Sequence, residues 1–109
     1  MIVAAGLLVA GLGSLALVII ELLRDRGASV DYYDPHVPAI PMTRAHPDLA
    51  GMRSILLSPS SIAGYDAVLI VTDHSEVDWQ SLVDAAQLVI DTRNATAQVR
   101  GGRDKIFFA

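Results

Sequence analysis

Tyr65–His74 reads YDAVLIVTDH. Its middle, Ala67–Val71, is continuously apolar, as a strand buried on both faces of a parallel sheet must be, and the run then breaks into Thr72-Asp73-His74. Two further segments share this design. Val30–Val37 (VDYYDPHV) passes from β-branched and aromatic residues into Asp34-Pro35-His36, and Leu88–Asn94 (LVIDTRN) passes from apolar residues into Asp91-Thr92-Arg93-Asn94. Open parallel sheets bind ligands outside the carboxyl ends of their strands. The three segments therefore point to one edge of one sheet, which carries two turns with Asp and His and one Arg.

The flanking sequence supplies the remaining elements. Met1–Val9 reads as a buried strand, followed by a turn at Gly11–Gly13 and an N-cap at Ser14. Leu15–Arg26 has helical spacing, with Leu15, Val18, Ile19, Leu22 and Leu23 on one face, and Gly27 suits the left-handed position past its end. Ser29–Tyr33 is a second strand. Pro38, Pro41 and Pro47 make Val37–Met52 a loop, and Ile55–Leu57 reads as a short strand. Ser58–Gly64 and Val77–Ala86 read as short helices, and Leu88–Ile90 and Ile106–Phe108 as strands. The order β-α-β-loop-β-α-β-α-β predicts one α/β domain over residues 1–109. Its architecture is a Rossmann-like open parallel sheet with helices on both faces.

Composition narrows the function. Hydrophobic residues make up 52% of the 109 positions, which suits one domain with a modest core. The formal net charge is −4 and Lys105 is the only lysine, so the clustered cations that nucleic-acid binding needs are absent. There is no Cys, hence no disulfide, thiolate metal ligand or catalytic thiol. Met1–Ile20 carries no charge, but Gly6, Gly11 and Gly13 interrupt it. A buried strand followed by a core-facing helix explains the run better than a membrane anchor.

Gly11-Leu12-Gly13-Ser14-Leu15-Ala16 matches G-x-G-x-x-A between a strand and a helix, and Asp31 or Asp34 follows about twenty residues on. Gly11 and Gly13 are thus candidate dinucleotide-binding residues, with the helix N-terminus facing a pyrophosphate. The alternative is a tight strand-to-helix turn packed on the sheet, easily produced by so Ala-, Gly- and Leu-rich a stretch. His36, His46 and His74, with Asp34, Asp73 and Asp91, are potential metal ligands, but no pair has the close helical spacing of zinc ligands, and no metal site is expected. Asp34-Pro35-His36 reads as an Asx turn and Thr72-Asp73-His74 as a helix cap. Ser75, His74 and Asp73 are too close in sequence to converge as a triad, and no nucleophile elbow surrounds them.

Ile20–Pro38, Gly64–Asp78 and Leu88–Thr96 together resemble the C-terminal, UDP-binding domain of the UDP-glucose/GDP-mannose dehydrogenases, most closely the UDP-N-acetyl-hexosamine type. The resemblance runs from Ser14 to the C-terminus. It implies a module of an NAD-dependent oxidoreductase that converts a sugar C6 hydroxyl to a carboxylate in polysaccharide biosynthesis, in the cytoplasm. In such enzymes NAD is bound mainly by a separate N-terminal domain, a Cys is the nucleophile, and the C-terminal domain closes over the UDP-sugar. The resemblance makes Arg93 the phosphate-reaching Arg of the cleft, with Asp34, His36, Asp73 and His74 shaping the substrate site. The family's Gly-x-x-Tyr-Lys turn and Asp-Asp-x-Arg-x-Ser-Pro-Ala segment are missing, so the first strand and loop are truncated or remodelled. Without that segment's Lys and Arg, a Cys or an NAD domain, the chain is not expected to catalyse alone. A UDP-sugar, a second copy or a partner chain carrying the NAD domain are the expected partners. The alternatives are a noncatalytic interaction remnant and a free-standing dinucleotide-binding unit.

Overall fold

The computed structural model describes residues 6–11 and 13–109, without the Ser14 side chain. Five strands form one parallel sheet: β1 (Gly6–Ala10), β2 (Ser29–Tyr33), β3 (Ala67–Ile70), β4 (Val89–Asp91) and β5 (Ile106–Phe108). Three α-helices accompany them: α1 (Ser14–Asp25), α2 (Pro59–Ala63) and α3 (Trp79–Ala85). The strand order is β2-β1-β3-β4-β5. The chain thus winds outward from β1 to β2, then returns to the other side of β1 and continues through β3. The switch point lies between β1 and β3, where doubly wound sheets open a crevice at the carboxyl ends. The α/β, Rossmann-like reading of the sequence holds.

Alternation along the strands divides the core. Leu8, Ala10, Val68 and Ile70 face α2 and α3, meeting Ile62, Leu82 and Val83. Val9, Val30 and Tyr32 face α1 and the Pro-rich loop, meeting Ala16, Ile20, Ile40 and Leu49. The sheet is therefore covered by helices on both faces, and its inner strands have no polar side. Tyr32 is fully buried, and its hydroxyl donates to the carbonyls of Val37 at 2.9 Å and Met52 at 3.3 Å. Those two bonds hold both ends of the loop against β2.

Helix α1 departs from the sequence expectation in two ways. It begins at Ser14, with Gly13 rather than Ser14 at the cap. Its core-facing residues are Ala16 and Ile20, with Leu17 and Leu23 half-buried, whereas Leu15, Val18 and Leu22 are exposed. The physical reason is that Leu15–Leu23 contains one polar residue, Glu21. An almost wholly apolar helix has no polar face to reveal which side packs, and the small side chain of Ala16 lets the helix sit close on the sheet. The helix ends as expected. Gly27 has φ +90°, its N–H bonds the Arg24 carbonyl, and the Ala28 N–H bonds the Leu23 carbonyl, a Schellman closure.

Ile55–Leu57 is not a strand. Only the Ile55 N–H reaches β2, at the Tyr32 carbonyl, and Arg53 makes an isolated antiparallel bridge to Ala39. The segment therefore touches the edge strand β2 through a single backbone bond and does not continue along it as a sixth strand. The expected strand at Met1–Val9 continues to Ala10, but its first five residues and the Leu12 turn position lie outside the described residues. Among the described residues, no helix is long and apolar enough to cross a membrane.

Gly11 fixes the geometry at the switch point. Its φ is +97°, and a Cβ there would lie 2.4 Å from Thr72 Cβ and 3.0 Å from the Thr72 backbone nitrogen. The β1–α1 turn thus packs directly on the end of β3, and the first glycine of the G-x-G pattern is needed for that approach. Gly11→Ala combines overpacking with an unfavourable φ, so it should lower unfolding stability by at least about 1–3 kcal/mol in urea denaturation. A loss under about 0.5 kcal/mol would contradict this account of the turn.

Candidate functional site

The strand register aligns four carboxyl ends. Tyr33 pairs with Ala10, Ala10 with Ile70, and Ile70 with Asp91. The residues that follow therefore emerge along one edge: Asp34 and His36 after β2, Gly11 and Gly13 after β1, Asp73 and His74 after β3, and Arg93 after β4. Adjacent strands are about 4.8 Å apart, so β2 and β3 are separated by roughly 10 Å, with β1 between them.

The Asp34 carboxylate spans that gap. It is 4% exposed. Its Oδ1 accepts from the backbone N–H of His36 at 2.7 Å and of Val37 at 3.2 Å, which makes the Asp-Pro-His segment an Asx turn. Its Oδ2 lies 3.1 Å from His74 Nε2. The Ser54 hydroxyl accepts from the Asp34 N–H at 3.0 Å, fixing the backbone from the other side. One carboxylate thus sets the backbone beneath His36 and the imidazole of His74. The two rings meet edge to face, with centroids 5.4 Å apart and planes at 66°.

Glu76 completes this cluster, and sequence reasoning missed it. Its Oε2 pairs with His36 Nε2. Its own backbone N–H, then the Ser75 hydroxyl and the His36 ring, hold its carboxyl below the usual glutamate range despite the opposing effect of desolvation. One donor atom from each of His36, His74 and Glu76 lies within 4.8 Å of the other two. These are the residues able to hold a metal. Spacing along one helix could not reveal them, because the loop after β2 supplies one and the loop after β3 supplies the others. Glu76 lies two residues past His74, which is the only trace of it in the sequence.

Thr72-Asp73-His74 does not cap a helix. α3 starts five residues beyond His74, and Asp78 caps it, accepting from the Ser81 N–H at 3.1 Å and from the Ser81 hydroxyl at 2.8 Å. Asp73 is instead exposed and accepts from Trp79 Nε1 at 3.2 Å. It stands on the rim of an open cavity of about 500 Å³ between the loops after β3 and β4, which Ser75, Val77, Trp79, Asn94 and Gln98 also line.

Arg93 is exposed beside this cavity, and among the described residues its guanidinium has no ion pair. It does not pair with Asp91 or Asp34, whose carboxylates are otherwise engaged. Asp91 is 1% exposed and accepts from the backbone N–H groups of Arg93, Ala95 and Thr96 and from the Thr96 hydroxyl. Burial alone would raise its carboxyl. The hydroxyl and the three N–H donors outweigh burial and hold it below the usual range. Asp91 thus builds the loop that presents Arg93.

The acidic residues expected at the ribose position of a dinucleotide site do not fit that role. Asp31 lies in the middle of β2 and accepts from the Tyr65 hydroxyl at 2.6 Å, and burial together with that contact pushes the Tyr65 phenol up. Asp34 is turned inward to its own loop and His74. Gly13 differs from Gly11, since among the described residues other than its chain neighbours nothing lies within 4 Å of where its Cβ would stand.

The sequence profile of the UDP-glucose/GDP-mannose dehydrogenase family, UDP binding domain, matches residues 13–98. No curated protein sequence matches the chain. Among solved structures, the apo D-lactate dehydrogenase of Escherichia coli superposes with a TM-score of 0.60 and 15% identity, over 93% of this chain and 30% of that one. The NAD-dependent formate dehydrogenase of Staphylococcus aureus, in complex with NAD, gives a TM-score of 0.58 and 12% identity, over 89% of this chain and 31% of that one. A putative D-isomer specific 2-hydroxyacid dehydrogenase from Polaromonas gives 0.57 and 15%, over 99% of this chain and 44% of that one. Identities this low establish a shared fold. The chain spans less than half the length of each of these dehydrogenases.

The Asp91 loop makes a stability prediction with a definite sign. A carboxyl lowered in the folded state stabilises fully above the unfolded value of about 3.9, and this contribution is lost as pH falls through the lower, folded value. Asp91→Ala strands two buried N–H groups, a part-buried one and a buried hydroxyl, so it should cost about 2 kcal/mol or more at pH 7. The deficit should shrink below about pH 4. A pH-independent deficit in chemical denaturation would show that the charge of Asp91 does not hold the loop.

Proposed function

The chain belongs to the UDP-glucose/GDP-mannose dehydrogenase family, as its UDP-binding domain, and on that premise we propose that it binds the UDP portion of a nucleotide sugar along the carboxyl edge of its sheet. The observation that carries this reading is Arg93. It is an exposed guanidinium without an ion pair among the described residues, presented by a loop that the buried Asp91 makes rigid. A guanidinium binds phosphate oxygens through a planar two-pronged fork, and a fixed backbone lowers the entropy lost when it does so.

The surroundings suit the rest of the ligand. The N-terminus of α1, two strand spacings or about 10 Å from the end of β4, adds backbone N–H groups and the positive end of a helix dipole for a diphosphate. The cavity of about 500 Å³ beside Trp79 is large enough for a nucleoside, with the Asn94 and Gln98 amides and the Asp73 carboxylate to meet base and ribose. The Asp34–His36 and Thr72–His74 turns form the far wall of the crevice, towards the sugar. NAD fits this edge less well, because Asp31 and Asp34 are already engaged. The chain contains no Cys. In this reading it holds the substrate, of the UDP-N-acetyl-hexosamine type, and the nucleophile and the NAD-binding unit for oxidation at C6 lie outside these 109 residues.

Isothermal titration with UDP, and with NAD in parallel, tests the assignment. UDP should bind, and Arg93→Ala should weaken it at least about ten-fold, since a hydrogen bond to a charged group contributes about 1.5–3 kcal/mol. No UDP heat from a folded sample at millimolar ligand would sink the reading. NAD binding tighter than UDP would reassign the edge to the Gly11–Gly13 turn.

A further inference from the structure

The geometry points to a divalent transition-metal site formed by His36, His74 and Glu76, of the class that takes Zn²⁺, Ni²⁺ or Cu²⁺ rather than Mg²⁺ or Ca²⁺. The site needs no nucleotide, although His36 and His74 also wall the sugar end of the crevice.

Its ligand set is two imidazoles and one carboxylate, and imidazole donors favour the later first-row metals over hard cations. The three donor atoms lie within 4.8 Å of one another. Two ligands about 2.0–2.1 Å from a tetrahedral ion are about 3.4 Å apart, so closure asks for movements of roughly 1.5 Å at most. The side chains that must move are free to do so. The His36 side chain is 62% exposed and that of Glu76 is 45% exposed.

The backbone and the third ligand are held. The His74 side chain is 18% exposed, and its Nε2 lies 3.1 Å from Asp34 Oδ2. A neutral imidazole that donates from Nε2 keeps its lone pair on Nδ1. A carboxylate behind a histidine in this manner fixes the tautomer and the orientation of the ring. The same Asp34 carboxylate accepts from the His36 N–H, so one buried group orients both histidines. The Glu76 carboxylate accepts from the Ser75 hydroxyl at 3.2 Å, which orients it. A protein with only an exposed His–Glu pair gains little from it in water. Here a second imidazole backed by a buried carboxylate accompanies the pair, and three donors leave a coordination position open to water or an anion.

The chain carries its own control. His46 Nδ1 pairs with Glu21 Oε1 on the opposite side of the Pro-rich loop, without a second imidazole. That pair offers two donors where the proposed site offers three.

The test is titration of the untagged chain with ZnCl₂ in a buffer free of phosphate and nucleotide, followed by calorimetry and thermal unfolding. The visible absorption of the Co²⁺-loaded chain reports the geometry. One equivalent of Zn²⁺ should bind with micromolar or tighter affinity, raise the unfolding temperature and give Co²⁺ d–d bands. His36→Ala and Glu76→Gln, both at exposed positions, should each weaken binding at least ten-fold, while His46→Ala should leave it unchanged. His74→Ala should abolish binding. If that variant fails to fold because Asp34 loses its partner, the other two decide. Millimolar magnesium should not compete. Absence of Zn²⁺ binding in the parent, retention of it in His36→Ala and Glu76→Gln, or its loss in His46→Ala would each overturn the proposal.

Discussion

The buried carboxylate of Asp34 joins two strand ends that are not neighbours in the sheet. Its Oδ1 closes the turn after β2, and its Oδ2 reaches His74 after β3, across the end of β1. Removing a carboxylate from water is costly unless donors replace the water, and here backbone N–H groups and an imidazole do so. The fold needs those donors where they are, and the edge inherits its geometry from them. Both histidines of the crevice are placed by this one group, which is why they meet above β1.

A second buried carboxylate does the same at the other end of the edge. Asp91 collects three backbone N–H groups and a hydroxyl, and so folds the loop after β4 back on itself. The consequence is electrostatic. Both acidic groups that might have neutralised Arg93 are spent on backbone donors, and a cation is left exposed at a rigid strand end. A domain of net charge −4 thus presents a local site for an anion next to a cluster suited to a cation. Arg93 stands at β4 and the cluster over β1, so the two meet along one edge, with His36 and His74 at the sugar end of the crevice.

Much of this was legible in the chain. The continuous apolar runs ending in Asp-Pro-His, Thr-Asp-His and Asp-Thr-Arg-Asn specify parallel strands and put their polar residues at one edge. Gly27 and Gly11 mark a helix end and a tight turn through the conformations only glycine takes easily. The packing face of α1 was not legible, because Leu15–Leu23 is apolar almost all round and periodicity needs contrast. Ile55–Leu57 has strand composition, but composition does not say whether the backbone will run alongside a neighbouring strand for more than one residue. The roles of Asp34 and Asp91 as turn builders follow from their burial, which short-range pattern does not report.

The sequence by itself determined the α/β class, the parallel sheet and the family, since these depend on local hydrophobic pattern and on motifs carried within short segments. Tertiary structure alone decided that His36, His74 and Glu76 converge, that Leu15, Val18 and Leu22 face outward, and that Arg93 stays unpaired among the described residues. Each of these depends on which strands lie side by side and in what register. The order β2-β1-β3 brings together loops that the Pro-rich segment, α2 and β3 separate along the chain, and no spacing rule within one element encodes that approach.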